Sequence, residues 1–377
     1  MEDLVIGARP NPSFWAQQRI LLTGHTGFKG AWLSLWLEKM GAAVTGLSLA
    51  PDTQPNLYSL LAPYANLNSI IGDIRNQDIV NYAVAAAAPT VAIHMAAQPL
   101  VRRSYREPVE TFETNVLGTV NVLNALRMVA PDLKAILVIT TDKVYLNLED
   151  GRAFVESDRL GGHDPYSASK AAAEIALTSW AHSYFRPKGI AIASARAGNV
   201  IGGGDWSEDR LIPDIWRAAK IGKPVSLRYP QATRPWQHVL DPLNGYLVFV
   251  ERLAAAATLE TCALNFGPDP GDEVTVSTLA DIFSRAIGLS EGWVPAEGRF
   301  EPEMRLLGLD AGNARKILNW RPQLSSKRAV EWTAAWYKSF DAGSDVRKLT
   351  LEQIWDFVAG NDVGVPAIQQ PRAAGEP

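Results

Sequence analysis

The chain of 377 residues has little cysteine, little net charge and little histidine, and each shortage excludes a class of protein. Its one cysteine, Cys262, cannot support an internal disulfide framework or a metal site built on paired thiolates. The five histidines lack close metal-ligand spacing, so we expect no metal. The 36 basic residues nearly balance the 40 acidic ones, which leaves no broad basic field for a nucleic acid. A small phosphorylated ligand is the expected partner.

Long apolar runs are also missing. None reaches the roughly 20 residues that a membrane-spanning helix needs, and the first twelve residues carry acids and prolines where a signal segment would be apolar. We therefore expect a soluble protein of the cytoplasm with no membrane partner. The last residues, 361–377, contain several prolines, glycines and alanines and are expected to form a flexible tail.

Apolar residues, by contrast, are abundant at 47% of the chain, enough for a large core and two closely joined domains. In the first half, helical stretches alternate with short and almost wholly apolar strands, predicted at Arg19–Leu22, Ala43–Leu49, Ser69–Ile71, Val91–Met95 and Ala135–Ile139.

Strands that lose their polar alternation are buried on both faces, so the pattern predicts an α/β fold with a doubly wound parallel sheet of the Rossmann type. We assign residues 14–195 to this sheet domain, to which later segments can add strands. Residues 196–345, richer in glycine, proline and tryptophan loops, are assigned mainly to a smaller C-terminal substrate-binding region. Five tryptophans at helical positions are expected to be core or interface anchors: Trp32, Trp36, Trp216, Trp320 and Trp332.

The first strand runs directly into a glycine-rich turn, Gly24-His-Thr-Gly-Phe-Lys-Gly30, which is followed by a helical pattern. Glycines at this spacing turn the chain sharply and bring backbone N–H groups against a pyrophosphate at the positive end of the helix. An ordinary strand-to-helix turn is the alternative, but the placement between strand and helix favours dinucleotide binding.

The choice between NAD and NADP depends on the end of the second strand. Gly46–Ala50 lacks the acidic residue that usually binds the adenosine ribose, and Asp52 lies slightly beyond the expected place. No lysine or arginine lies between Val44 and Leu60 to meet a 2′-phosphate, so NAD is favoured and NADP stays an alternative. Asp73, after the third strand, is a candidate either for the adenine edge or for a helix cap.

Two segments carry the candidate catalytic groups. In Tyr166-Ser-Ala-Ser-Lys170 a phenol and an ammonium lie four residues apart, which on a helix brings them to one face. A nearby cation favours the phenolate, so we predict a lowered pKa for Tyr166 and a role as the base that takes a hydroxyl proton during hydride transfer. An accidental pair on a solvated helix is the alternative. Upstream, the fifth strand ends in Thr140-Thr-Asp-Lys-Val-Tyr145, at the edge where a parallel sheet meets its ligand.

Several longer segments resemble a known family. They are Thr23–Leu37, His94–Arg102, Gly161–Ser167, Ala195–Trp206 and Arg234–Val239. Together they resemble the extended short-chain dehydrogenase/reductases and, within them, the CDP-glucose 4,6-dehydratases. The resemblance runs from about Phe14 to Pro322.

The resemblance implies a lyase reaction in which CDP-D-glucose becomes CDP-4-keto-6-deoxy-D-glucose plus water, with a hydride taken from C4 and later returned to C6. By resemblance, Tyr166 is the base at the C4 hydroxyl, Lys170 supports it and Thr141 hydrogen-bonds the same oxygen. The 4-keto group acidifies C5–H, so water can leave from C6 if one group takes the C5 proton and another protonates the departing hydroxyl. By position, we assign Asp142 as the acid toward O6. Lys143 is either the base for the C5 proton, which requires its neutral form, or an electrostatic helper.

The implied cofactor is NAD, bound in the sheet domain. Its candidate contacts are Gly24, Thr26, Gly27, Phe28, Lys29, Gly30, Asp73, Ile74, Ala96, Ala97, Gln98, Asn115, Tyr166 and Lys170. The implied partner is a CDP-sugar, for which Arg234 is the first choice as pyrophosphate ligand. The candidate substrate contacts are Asn199, Arg210, Leu211, Arg234, Trp236, His238 and Arg305. By family resemblance, helices over Asn115–Met128 and Tyr166–Trp180 pair with a second subunit to give a homodimer or a dimer of dimers.

Two other functions are compatible with parts of this pattern. A nucleotide-sugar 4-epimerase would share the glycine turn, Thr141, Tyr166 and Lys170, but it needs no acid and base for losing water. A catalytically silent NAD(P)-binding regulator would need none of the reacting residues. The Asp142-Lys143 pair favours dehydration.

Overall fold

The computed structural model describes residues 7–255, 263–298, 300–301 and 304–361. The strands, numbered in chain order, are β1 (Arg19–Thr23), β2 (Ala43–Ser48), β3 (Leu67–Ile71), β4 (Val91–His94), β5 (Ala135–Thr141), β6 (Ala191–Ala197), β7 (Asn199–Ile201), β8 (Val225–Leu227), β9 (Thr233–Arg234), β10 (Trp236–His238), β11 (Ala263–Phe266), β12 (Val274–Thr275) and β13 (Trp293–Pro295).

The α-helices are α1 (Pro12–Trp15), α2 (Phe28–Lys39), α3 (Leu57–Leu61), α4 (Gln77–Ala87), α5 (Val101–Arg106), α6 (Pro108–Phe112), α7 (Gly118–Val129), α8 (Pro165–Trp180), α9 (Leu211–Lys220), α10 (Leu240–Ala255), α11 (Val276–Ala286), α12 (Gly312–Leu318), α13 (Ser326–Asp341) and α14 (Val346–Ala359). Short π-helical or 3₁₀ turns cover Glu113–Leu117, Asp142–Val144, Ala181–Phe185 and Arg186–Lys188. Within the described ranges, no helix is long and apolar enough to cross a membrane.

Seven strands form one parallel sheet in the order β11-β6-β5-β4-β1-β2-β3. Every residue of β5 and β6 is buried, as expected for central parallel strands covered on both faces. Alternate residues of one strand enter different apolar clusters: Ile20 and Leu22 pack with α2 and α10, whereas Leu21 packs with α4 and α7. The predicted doubly wound parallel sheet is confirmed.

The domain boundary predicted at residue 195 falls inside β6. The order of the strands in the sheet also differs from their order in the chain. Strand β11 comes from the second half of the chain and pairs with β6, from Ala263 opposite Ser194 to Phe266 opposite Ala197. Helix α10 also packs on β5 and β6. The C-terminal part therefore supplies both an edge strand and a cover for the sheet, since an apolar strand face must be buried.

The rest of the C-terminal part builds a smaller cap over the carboxyl edge of the sheet. It contains α9, α11 and α13 and three two-stranded pieces, β10 with β7, β12 with β9 and β13 with β8. An aromatic cluster of Trp206, Trp216, Trp336 and Tyr337 holds it together, with ring centroids 5.1 to 6.1 Å apart. Of the predicted tail, residues 362–377 lie outside the described residues.

Candidate active site

A cavity of about 610 Å³ opens at the carboxyl edge of the sheet, between the strand ends and the C-terminal cap. Its walls include residues that directly follow or end β1, β2, β3, β4, β5 and β6. This is the place where open α/β sheets bind their ligands, because the strands end there and the helices begin.

The glycine-rich turn forms one end of the cavity. Gly24 has a left-handed φ of +80°, and a Cβ on it would lie 2.8 Å from the backbone nitrogen of Ala96. A Cβ on Gly30 would lie 2.1 Å from the carbonyl oxygen of Gly24. Gly27 is the N-cap of α2, and a Cβ on it would lie in van der Waals contact, 3.4 Å from the Gly24 carbonyl oxygen. As a glycine it has no side chain that could bond the first N–H groups of the helix. The first N–H groups of α2 therefore face the cavity, which suits a pyrophosphate.

Thr26 and Lys29 fix the same turn through their side chains. The Thr26 hydroxyl donates to the Leu49 carbonyl over 2.8 Å and lies 2.7 Å from the hydroxyl of Ser48. The Lys29 ammonium donates to the Tyr246 hydroxyl over 3.1 Å. Burial lowers the pKa of Lys29 to about 7, and the positive charge of Arg210 acts in the same direction.

Asp73 and Ile74 line the cavity beyond β3. Asp73 is not a helix cap, since Asn76 caps α4. Its carboxylate instead accepts hydrogen bonds from the backbone and guanidinium of Arg75, at 2.6 to 2.9 Å. Partial burial acts to raise the pKa of Asp73, but the bonds and charge of Arg75 outweigh it and the pKa is lowered.

After β4, the candidates Ala96, Ala97 and Gln98 line the cavity, but Asn115 does not. The Asn115 side chain is buried behind them, where its oxygen accepts from the Gln98 backbone N–H over 2.8 Å and its amide donates to Ser169 Oγ over 2.9 Å. The polar atoms of Asn115 thus join the loop after β4 to α8, and its contact with the cofactor stays a prediction.

The candidate catalytic residues come from two elements that meet at the cavity. Strand β5 ends at Thr141, and helix α8 carries Tyr166 and Lys170 on one face. Thr141, Lys143, Tyr166 and Lys170 all line the cavity. The Tyr166 phenol lies close enough to the Thr141 side chain for Thr141 to act on the phenol's pKa.

The pKa predicted for Tyr166 is wrong in direction. Burial raises the pKa of this phenol to about 12; the hydrogen bond to Thr141 opposes the rise, and the negative charge of Asp142 adds to it. The Lys170 ammonium donates to the Ile139 carbonyl over 3.3 Å, and burial lowers its own pKa to about 8. Spacing along the helix could not reveal how completely both groups are buried.

Asp142 and Lys143 differ in their access to the cavity. The Asp142 side chain is fully buried and does not line it, so Asp142 lies behind the wall. Its Oδ1 accepts from the Thr141 hydroxyl over 2.9 Å and from the Lys143 ammonium over 3.2 Å. Its Oδ2 has no hydrogen-bond partner among the described residues. The Lys143 ammonium also donates to the Asn199 side-chain oxygen over 3.4 Å.

Five of the seven candidate substrate contacts line the same cavity: Asn199, Arg210, Leu211, Arg234 and Trp236. Arg210, immediately before α9, forms an ion pair of 2.8 Å with Asp205. The Arg234 guanidinium donates to the Thr233 carbonyl over 2.9 Å. Two guanidinium groups thus line the same cavity as the glycine turn.

His238 and Arg305 do not line the cavity, and their assignment as substrate contacts stays a prediction. The His238 ring is fully buried between Trp32 and Trp332, with centroids 6.0 and 5.7 Å away, and burial lowers its pKa to about 3. Arg305 is exposed, and its backbone N–H donates to the Glu149 carboxylate over 2.9 Å. His238 belongs to the segment Arg234–Val239 that carries the family resemblance, whereas Arg305 lies outside these segments. The backbone carbonyl of Arg305 accepts from the Arg234 guanidinium over 3.3 Å.

Further polar residues that the sequence did not predict also line the cavity. Arg102, at the start of α5, forms an ion pair with Asp209, and Arg228 lies 4.0 Å from the same carboxylate. All three line the cavity. Arg102 ends one of the segments that carry the family resemblance, which was the available signal. Nothing in the sequence indicated its partner Asp209, which is 107 residues away.

Comparisons with known proteins agree with this geometry. The family model described as GDP-mannose 4,6 dehydratase matches residues 21–333. CDP-glucose 4,6-dehydratase of Salmonella typhimurium is 41% identical over 353 residues, which cover 92% of this chain and 98% of that protein. A dTDP-glucose 4,6-dehydratase of Xanthomonas campestris pv. campestris is 26% identical, with 84% and 92% covered. The UDP-glucose 4-epimerase of Thermus thermophilus, solved with NAD, has a TM-score of 0.72 at 25% identity, with 84% and 97% covered.

Proposed function

The chain belongs to the GDP-mannose 4,6 dehydratase family of extended short-chain dehydrogenase/reductases, and from this we propose that it is a nucleotide-sugar 4,6-dehydratase. The reaction is the conversion of CDP-D-glucose to CDP-4-keto-6-deoxy-D-glucose and water. One observation carries the proposal: Thr141, Lys143, Tyr166 and Lys170 share a cavity wall, with the Asp142 carboxyl directly behind it. The CDP-glucose 4,6-dehydratase relative supports the choice of substrate.

The cofactor is NAD, bound between the glycine turn and the ends of β3 and β4. The open N-terminus of α2 and the close packing at Gly24 and Gly30 suit a dinucleotide, and the epimerase of similar fold was solved with NAD. Bound NAD supplies the hydride acceptor for C4 and later the hydride donor for C6. Residues 44–60 contain no lysine or arginine that could bind the 2′-phosphate of NADP.

Oxidation at C4 depends on three side chains. Tyr166, as phenolate, takes the proton of the C4 hydroxyl, while the Thr141 hydroxyl donates a hydrogen bond to the same oxygen. Lys170, one helical turn from Tyr166, supplies the positive charge that favours the phenolate. The raised pKa of Tyr166 makes this help necessary, because an unassisted phenol of pKa about 12 is protonated at neutral pH.

Loss of water depends on the Asp142-Lys143 pair. A proton passes first from the Lys143 ammonium to the Asp142 carboxylate, whose Oδ1 lies 3.2 Å away. The neutral amine then takes the C5 proton, the C5–C6 double bond forms, and the C6–O bond breaks as Asp142 gives its proton to the departing hydroxyl. The Oδ2 atom of Asp142 has no hydrogen-bond partner among the described residues. Because the Asp142 side chain lies behind the cavity wall, this role requires O6 of the sugar to reach between Thr141 and Lys143. The lysine, now charged, returns its proton to C5 when the hydride reaches C6.

Arg210 and Arg234 bind the diphosphate of the CDP-sugar. Both guanidinium groups line the cavity, and their forked donors match phosphate oxygens. Asn199, Leu211 and Trp236 also line the cavity and shape the space for the hexose and cytidine.

The working form is a homodimer, or a dimer of dimers, joined through the helices around α8. Helices α6, α7 and α8 pack together, and they expose apolar side chains: Val109 is 70% exposed, Ile175 61% and Met128 66%. Apolar side chains exposed on adjoining helices favour a protein contact.

The direct test is incubation of the purified chain with CDP-glucose and NAD. We expect the ultraviolet signal that a 4-keto-6-deoxy sugar develops in alkali. Formation of CDP-galactose without this signal would indicate a 4-epimerase. Absence of both products would leave a dinucleotide-binding regulator.

Lys143→Met tests the assignment of the C5 base. The variant lacks the amine that accepts the proton, so exchange of the C5 hydrogen with solvent should fall by about 10²-fold or more, measured by isotope incorporation from deuterated water. Lys316→Met, a change at an exposed lysine of α12, is the matched control and should exchange normally. Normal exchange in Lys143→Met would remove this role from Lys143.

A further inference from the structure

A buried ion pair lies directly behind the cavity and is not used in the steps above. Glu174 is on α8, one helical turn beyond Lys170, and Arg196 is on β6. Their side chains are 4% and 5% exposed. Arg196 Nε donates to Glu174 Oε1 over 2.9 Å and to Oε2 over 3.0 Å, and Arg196 Nη2 also bonds Oε2. Neither residue lines the cavity.

The ion pair is bonded to the two residues that flank Thr141–Val144, a short segment that we call the catalytic turn. Thr140, the residue before it, donates from its hydroxyl to Glu174 Oε1 over 2.5 Å. Tyr145, the residue after it, accepts at its hydroxyl from Arg196 Nη1 over 2.8 Å. The same ion pair therefore anchors the catalytic turn on both sides to the helix that carries Tyr166 and Lys170.

The anchor on the Tyr145 side continues into the C-terminal part of the chain. The Tyr145 hydroxyl donates to Asn265 Oδ1 over 2.7 Å, and the Asn265 amide donates to the Phe154 carbonyl over 2.9 Å. The Tyr145 ring stacks on Phe154 at 4.7 Å, and the Arg196 guanidinium lies 4.9 Å from the Tyr145 ring centroid. A buried network satisfied in this way has little freedom to change its geometry.

Stability alone is a weak explanation for such a pair. Taking two charges out of water is costly, and well-packed apolar residues of similar volume often stabilise a fold as well or better. The position of the pair offers a different explanation, because the reacting groups come from two separate elements. A displacement of about 1 Å between such groups can lower turnover by about 10²-fold.

We propose that Glu174 and Arg196 are positioning residues that hold the catalytic turn in place against Tyr166 and Lys170. The proposal rests on the proposed function, since these residues act through the groups assigned to hydride transfer and water loss. Glu174 and Arg196 touch neither substrate nor cofactor. They set the distance between the turn and α8.

Removing one anchoring hydroxyl at a time tests the proposal with little risk to folding. In Thr140→Val, Glu174 keeps its bonds to Arg196; in Tyr145→Phe, Arg196 keeps those to Glu174. We expect each variant to lower kcat for 4-keto sugar formation about tenfold, with KM unchanged within about twofold. Accumulation of reduced nicotinamide, seen by its absorbance, should rise in Tyr145→Phe if water loss becomes slow. Wild-type kcat in both variants would overturn the proposal.

Thr178→Val is the matched control on the same helix. The Thr178 hydroxyl donates to the backbone carbonyl of Glu174 over 2.9 Å and does not reach the ion pair. This variant loses one hydroxyl, as Thr140→Val does, and should keep the wild-type kcat. A loss equal to that of Thr140→Val would indicate a general effect on α8 and would overturn the proposal.

The double variant Glu174→Leu with Arg196→Met gives a test that does not depend on turnover. Removing both charges together avoids leaving one of them buried and unpaired. We expect its crystal structure to show the catalytic turn displaced from α8 and Thr141 farther from Tyr166 than in the wild-type chain. An unmoved turn would overturn the proposal. If the wild-type chain makes no 4-keto sugar, the proposed function fails, and this structure still decides the positioning role.

Discussion

Lys170 illustrates at the scale of a single residue how burial sets the chemistry of the site. Its ammonium is bonded to a backbone carbonyl of β5, and burial lowers its pKa to about 8 while the charge of Glu174 acts against the decrease. Lys29 on α2 is a second cation close enough to interact with it, and the buried His94 on β4 faces it with a lowered pKa of about 3. Lys170 is therefore only weakly held in its charged form.

The pH dependence of turnover follows from this lowered pKa. The proposed role of Lys170 needs the ammonium, so kcat/KM should fall as the pH rises through about 8, where the lysine loses its proton. Lys170→Arg keeps a positive charge at higher pH, and the high-pH decrease should move upward in this variant. The measurement is a pH profile of kcat/KM for both proteins. An identical high-pH decrease in both would assign it to another group.

At the scale of elements, the glycines of the turn before α2 serve two different purposes. One allows close packing within the turn, and the other leaves space for a ligand at the N-terminus of α2. Gly30 is required by the fold itself, since its Cβ would overlap the Gly24 carbonyl at 2.1 Å. Gly27 has room for a Cβ, 3.4 Å from the same carbonyl, and has an ordinary negative φ of −73°. A methyl group there would meet no protein atom that excludes it, but it would occupy space at the open end of α2.

Gly27→Ala is therefore expected to fold normally and to bind the cofactor less well. The dissociation constant for NAD should rise about tenfold, which corresponds to about 1.4 kcal/mol, while the thermal midpoint stays near that of the wild type. Isothermal titration and a thermal melt measure the two quantities. Gly30→Ala is the comparison and should lower the thermal midpoint, because the turn must open to admit its Cβ. Unchanged NAD affinity in Gly27→Ala would argue against pyrophosphate at this turn.

At the scale of the whole molecule, buried tryptophans belong to the core, whereas several other apolar side chains are exposed on the surface. The five tryptophans expected as anchors are all buried, with at most 8% exposed: Trp32, Trp36, Trp216, Trp320 and Trp332. Val109 on α6, Met128 on α7 and Ile175 on α8 remain exposed on one folded chain. The proposed homodimer would cover them, so disrupting this face should act on assembly and leave the fold intact.

Ile175→Asp tests that assembly. Ile175 is 61% exposed on α8, and a carboxylate there would have to be buried in the proposed interface. Sedimentation should show a dimer for the wild-type chain and a monomer for this variant. Tyr82→Asp changes a side chain of similar exposure, 65%, on α4 and should leave the dimer intact. A wild-type chain that sediments as a monomer would refute the homodimer.

The sequence alone was sufficient to predict the doubly wound sheet and the elements that border the cavity. Apolar strands alternating with helices specify a sheet covered on both faces, and the five strands whose bounds were predicted agree with β1 to β5 to within two residues at their ends. The turn from Gly24 to Gly30, Thr141 at the end of β5 and the Tyr166–Lys170 pair on one helix face are local patterns, because each depends on the backbone geometry of a few adjacent residues.

Only the tertiary structure decided what depends on burial and on contacts between distant residues. It raised the pKa of Tyr166, because the phenol is enclosed by elements far apart in the chain. It placed Asn115 and His238 away from the cavity and added β11 to the sheet across β6. It also brought Arg196 to Glu174, 22 residues away. Periodicity and spacing report the path of the backbone, whereas solvent exposure and long-range pairing are properties of the assembled fold.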